Sequence, residues 1–154
     1  MAVWNSKYAT RELPVPYPRE SGGVVAVRFS YAVTASIAGT VNDIIELAIL
    51  PANCRVVDLI LDTDDLDTGG SPAIVLDVGI MSGAVGDTGT RTVGAEFFSG
   101  ATTAQAGGVV RPTLKTAFRV APTSDHRSIG VKIATAAATG AAGELGLTVL
   151  YATA

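Results

Sequence analysis

Four aspartates and two glycines fall within nine residues, "DTDDLDTGG" at 62–70. Carboxylates at that density can hold a divalent cation, act as an acid–base pair, or connect strands. A calcium loop of the EF-hand kind needs oxygen ligands at alternate positions and a closing glutamate. Here Leu66 occupies the third ligand position, no glutamate follows at the required distance, and the flanks carry no helical pattern. A glycosidase needs two carboxylates about 5–9 Å apart across a cleft. Adjacent loop aspartates imply no cleft, and substrate-stacking aromatics make up only 6% of the chain. Aspartate bonds its own backbone in turns, and Gly69 and Gly70 tolerate positive φ. The stretch reads as an acidic connection between strands, with an irregular ion loop as the alternative.

The other reactive side chains are isolated. His126 stands in "TSDHRS" beside Asp125 and near Ser124. A catalytic triad is assembled by folding, so such neighbours read as polar loop residues. Cys54, the single cysteine, precedes an apolar run in "PANCRVV", where a small buried side chain is expected. One cysteine and one histidine are too few for structural zinc. "GTVND" and "GDTGT" lack the lysine and the strand–loop–helix setting of a phosphate loop. No catalytic residue, cofactor or metal is expected, and the chain does not read as an enzyme.

The elements that position these residues follow from the totals and the patterning. A chain of 154 residues fits one domain, which buries about 68–70% of its unfolded surface and needs no metal or disulfide. Hydrophobic residues make up 48% and charged residues 16%, against about 25% charged in an average domain. That composition suits a surface partly covered by partners. The net charge of −3 and the lack of a basic stripe argue against nucleic acid. No apolar run is long enough for a membrane span, and "MAVWNSKYATREL" has no signal-like core, so synthesis in a cytoplasm without export is expected.

Residues 1–22 differ from the rest. Pro14, Pro16 and Pro18 recur at every second position in "ELPVPYPRES", which enforces an extended, polyproline-like course. The only tryptophan, Trp4, lies here with Tyr8 and Tyr17, and Lys7, Arg11 and Arg19 alternate with Glu12 and Glu20. Extended, the segment reaches roughly 60–70 Å, against a body about 35–40 Å across. It is expected to be an N-terminal arm that crosses a neighbouring subunit, with Trp4, Tyr8, Arg11, Pro14, Pro16, Tyr17 and Arg19 as partner-binding residues. The alternative is an arm folded back on its own domain, or a disordered one.

From residue 23 the apolar period is two. Val25, Val27, Phe29, Tyr31 and Val33 share a face; so do Ile45, Leu47 and Ile49 opposite Glu46, and Val57, Leu59 and Leu61 opposite Asp58 and Asp62. The pattern continues through Ile74, Leu76, Val78 and Ile80, through Phe118 and Val120, through Ile129, Val131 and Ile133, and through Leu145, Leu147, Val149 and Tyr151. Alternation of this kind marks half-buried strands. Turn-forming stretches such as "LPANC", "DTGGSP" and "ATGAAGE" separate them. The pattern predicts seven strands, an eighth near 92–98, and one short helical turn within "GAEFFSGATTAQAG". The predicted fold is all-β: an antiparallel β-sandwich or jelly roll over 23–154 with an extended N-terminal arm. "SGATTAQAGGVVRPT" at 99–113 reads as a glycine-rich surface loop or a contact loop.

The stretches "ELAILPANCRVVDLILDTDDLD", "IVLDVGIMSG", "EFFSGATTAQAGGVVR" and "IGVKIATAAATGAAGELGLTVLYATA" resemble small virion proteins of tailed bacteriophages, in particular head decoration or cement proteins. The resemblance implies a β-sandwich body on the capsid surface, present as dimers or trimers. It implies the major capsid protein and neighbouring copies as partners, with no nucleic acid and no membrane. A tail or head–tail connection subunit, and a carbohydrate- or calcium-binding β-module, are the alternatives.

Overall fold

The computed structural model describes residues 1–20 and 22–154. The strands in chain order are β1 (Val3–Asn5), β2 (Val24–Val33), β3 (Ile44–Leu50), β4 (Cys54–Thr63), β5 (Val75–Ile80), β6 (Phe98–Ala101), β7 (Gly108–Val110), β8 (Arg127–Thr135) and β9 (Gly143–Thr153). They form two sheets, ordered β2-β9-β4-β7 and β1-β3-β8-β5-β6. The antiparallel pairs nest, β2 with β9, β3 with β8, β4 with β7 and β5 with β6. The chain is therefore one long hairpin rolled so that successive rungs fall in alternate sheets. Pairing of β4 with β9 and of β5 with β8 closes each sheet. The two sheets make a β-sandwich. Among the described residues only β1 pairs in parallel, along the outer edge of β3.

Two-residue alternation builds the core. Val27, Val149 and Leu59 line up across one sheet, and Phe29, Leu147 and Leu61 form the next rung. Ile45, Val131 and Val78 face them from the other sheet, all within one buried cluster.

Bulges alter the expected faces. A bulge between Val56 and Asp58 turns Val56 inward and leaves Val57 exposed, away from Leu59 and Leu61. A second, between Glu46 and Ala48, sends Ala48 and Leu50 to the core and leaves Ile49 outside it. One inserted residue flips every later side chain, which alternation alone does not register. The strand expected around Phe118 is instead a 3₁₀ turn at Lys115–Phe118. Its two large apolar residues are too few to hold a strand, and the small Ala117 is the one buried. The expected helical turn occurs at Thr103–Gln105, inside the 99–113 segment that also supplies β7 and most of β6. The strand expected near 92–98 begins only at Phe98. An unexpected helix, α1 (Ala35–Ala38), is capped by Thr34, whose Oγ1 accepts from the Ile37 N–H.

Glu46 departs furthest from expectation. Every residue of β3 is buried, Glu46 included. Its outer face is covered by residues 6–9 and by the β5–β6 connection. That connection settles into a trough made by Glu46, Gly130 and Gly79, which occupy one row across β3, β8 and β5. A Cβ on Gly79 would come within 2.2 Å of the Glu96 side chain and 2.3 Å of the Gly94 backbone. Glycine is required there for close approach.

Candidate functional site

The aspartates at 62–67 are committed to holding the chain. Asp62 receives Arg28 from β2, which also pairs with Glu144. These bonds to Asp62 and Glu144 raise the Arg28 pKa. Asp64 accepts the Glu144 N–H at 2.7 Å, and Asp65 accepts the Asp67 N–H at 3.0 Å. Asp67 is buried and accepts five backbone N–H groups, from Gly69, Ala73, Ile74, Ala138 and Thr139. Burial on its own raises the Asp67 pKa. The amide donors outweigh it and hold the carboxyl well below the usual carboxylate range. Asp67 thus fastens the β4–β5 connection to the β8–β9 connection. Among the described residues, no three His, Cys, Asp or Glu side chains converge as metal ligands.

His126 is exposed, and its Nδ1 accepts the Ala52 N–H at 3.1 Å. Cys54 is fully buried at the start of β4. Burial pushes its thiol pKa up and so disfavours the reactive thiolate, an effect partly offset by the hydrogen bond with Tyr17.

The structure folds the leading segment onto its own body rather than across open space. Trp4 sits in β1, and its indole N–H donates to Asp43 Oδ2 at 3.0 Å while the ring stays 39% exposed. Tyr8 turns inward and meets Phe29 edge-on, with ring centroids 4.5 Å apart. Ala9 and Ser6 are buried beneath it. The Pro16 carbonyl accepts the Tyr151 hydroxyl. Burial, with smaller contributions from Cys54 and Tyr8, pushes the Tyr151 phenol up to about 12, so it remains a donor. Tyr17 donates to the Ala52 carbonyl at 3.1 Å, yet its side chain is 47% exposed. Pro14, Pro16 and Arg19 are exposed.

Arg11 has φ of 64° and closes a tight turn in which the Glu12 and Leu13 N–H groups both donate to the Lys7 carbonyl. This turn and Pro14 form one wall of an open groove of about 430 Å³. Leu13, Val15, Ile49 and Val85 also line it. Sequence reading missed these four. Leu13 and Val15 alternate with the prolines, so a signal was present; the bulge in β3 hides Ile49, and nothing marks Val85.

The fold and these surfaces define a class: an all-β structural module whose aspartate cluster and thiol serve internal bonding, and whose leading segment presents Trp4 and Tyr17 outward. No protein-family model and no curated protein matches the sequence. Solved structures do. A chain from the capsid of Ralstonia phage GP4 is 48% identical, with TM-score 0.95 and 99% of both chains covered. A chain from the cyanophage Pam1 capsid asymmetric unit is 27% identical, with TM-score 0.64 and coverage of 92% and 93%. A chain from the acid-stable capsid of Helicobacter pylori bacteriophage KHP30 shares the fold at 14% identity and TM-score 0.54. The protein belongs to the family of phage capsid proteins represented by the Ralstonia phage GP4 chain.

Proposed function

We propose that this protein is a decoration, or cement, protein that lies on the outer surface of a phage head and bridges major capsid subunits. The likeness to the Ralstonia phage GP4 capsid chain over both full lengths carries this reading. The surface supports it. The chain has few charges, and large apolar side chains are exposed on several elements, among them Trp4, Leu13, Tyr17, Val109 and Phe118. Covering the part of each that remains exposed contributes a fraction of the about 1.5–3 kcal/mol that full burial of such a side chain provides. Repetition of modest contacts over a lattice then adds avidity. In this role the leading segment presents Trp4, Arg11, Pro14, Pro16, Tyr17 and Arg19 to the shell, while Tyr8 supports them from beneath. Neighbouring copies of the chain are further partners.

The test is assembly of heads without this protein. Shells are expected to form, to be heat-labile, and to regain stability when purified protein is added in hundreds of copies per particle. Failure of shells to form would make it a shell-building subunit. A few copies per particle would make it a tail or head–tail connection subunit.

A further inference from the structure

The groove beside Arg11 continues past Val85 and His126 into a second recess of about 530 Å³, which Arg11 also lines. The two form one trough, open to solvent, with different ends. One end is apolar, built from Tyr8, Leu13, Pro14, Val15 and Ile49. The other holds Arg11, His126 and Arg127, with Asp125 as the one acidic side chain.

The cationic end has spare hydrogen-bonding capacity. Neither Arg11 nor Arg127 takes part in an ion pair among the described residues. Arg127 is half-buried and lines the recess, and the Glu96 carboxylate acts on it only through its charge, without an ion pair. His126 uses Nδ1 as an acceptor from Ala52, so the neutral ring carries its proton on Nε2 as a further donor. Arg11 is held in the left-handed region, which costs about 1–2 kcal/mol for a residue with a Cβ. Backbone strain of this kind clusters at ligand-binding positions.

We propose that this trough receives an extended segment of the neighbouring major capsid subunit, with an apolar side chain between Leu13 and Ile49 and an Asp or Glu carboxylate on Arg11 and Arg127. The inference rests on the decoration role and names its contact. Two guanidinium groups and a ring N–H match the acceptor-only chemistry of a carboxylate. The trough spans an apolar and a cationic compartment, which suits a chain offering successive side chains.

The test uses full-length protein and heads assembled without it. A photo-cross-linking amino acid in place of Leu13 should capture a shell-subunit peptide containing Asp or Glu. Arg11→Glu should weaken attachment at least tenfold without lowering the melting temperature, because Arg11 is exposed. Changing the captured acidic residue to Lys should restore attachment of Arg11→Glu. Wild-type attachment of Arg11→Glu, capture of a second copy of this chain, or capture of a peptide without an acidic residue would each overturn the trough assignment and leave the decoration role standing. Failure of the unmodified protein to attach to heads would remove both.

Discussion

Arg91 Nη1 lies 2.7 Å from Glu46 Oε1, and both side chains are shut off from water. The same guanidinium donates from Nε to the Ser82 carbonyl and from Nη2 to Ser128 Oγ at 3.1 Å. Glu46 Oε1 also accepts the Gly86 N–H and the Ser128 hydroxyl. One buried pair therefore ties the β5–β6 connection to β3 and β8, on the face opposite the main core.

Removing one partner leaves the other charge buried and alone. Arg91→Met is expected to cost about 3–5 kcal/mol, read as a lower urea midpoint with unchanged slope. The double variant Glu46→Leu/Arg91→Met should recover only part of that loss: no lone charge stays buried, but the Ser82 carbonyl, the Gly86 N–H and the Ser128 hydroxyl lose these partners. A single variant as stable as the wild type would show that the pair does not anchor the connection.

Asp67 gives the fold a defined acid sensitivity. Its folded-state pKa is depressed below the ordinary value of 3.8, so its contribution is complete above that pH and drains as pH falls toward the folded value. Asp67→Asn keeps one acceptor oxygen but sets an NH₂ against the amide donors. It should lower the urea midpoint at neutral pH and flatten the loss of stability between about pH 4 and pH 2. An equal slope in wild type and variant would remove Asp67 from the acid response.

Trp4 and Tyr8 separate attachment from folding. Tyr8→Ala uncovers Phe29 and is expected to cost about 1–3 kcal/mol of stability. Trp4→Ala removes a half-exposed ring at the sheet edge. It should shift the melting temperature less and weaken binding to shells more. The opposite ranking would place Trp4 among structural residues only.

Legibility followed the range of the forces involved. The inward faces of β2, β8 and β9 were readable because their alternation runs unbroken, from Val25 to Val33 and from Leu145 to Tyr151. The faces of β3 and β4 were half readable, because bulges at Glu46/Ala48 and Val56/Asp58 reverse the pattern midway. The aspartate loop was read as a connection, but the five-donor role of Asp67 depends on Ala138 and Thr139, some seventy residues away. Glu46 looked solvent-facing since its partner Arg91 comes from a connection whose course is set by glycines at 79 and 130. The prolines at 14–18 exclude helix, and no helix or strand forms there; where the segment lies depends on Tyr8, Phe29 and Tyr151 together.

The leading segment supplies the last prediction. As an independent arm it would be removable without loss of folding. In the structure its removal strips β1 from β3, uncovers the Phe29 edge, frees the Tyr151 hydroxyl, and deletes the Ser6 N–H bond to the Glu46 carbonyl at 2.9 Å. A chain lacking residues 1–20 is therefore expected to melt well below the full-length protein. Hydrogen exchange should rise first in β3, whose edge and outer face become open to water. Point changes at Trp4 or Arg11, which face outward, should leave exchange in β3 unchanged. A truncated chain with the full-length midpoint and an equally protected β3 would show the segment to be an appendage, and its contacts with the body to contribute nothing to the fold.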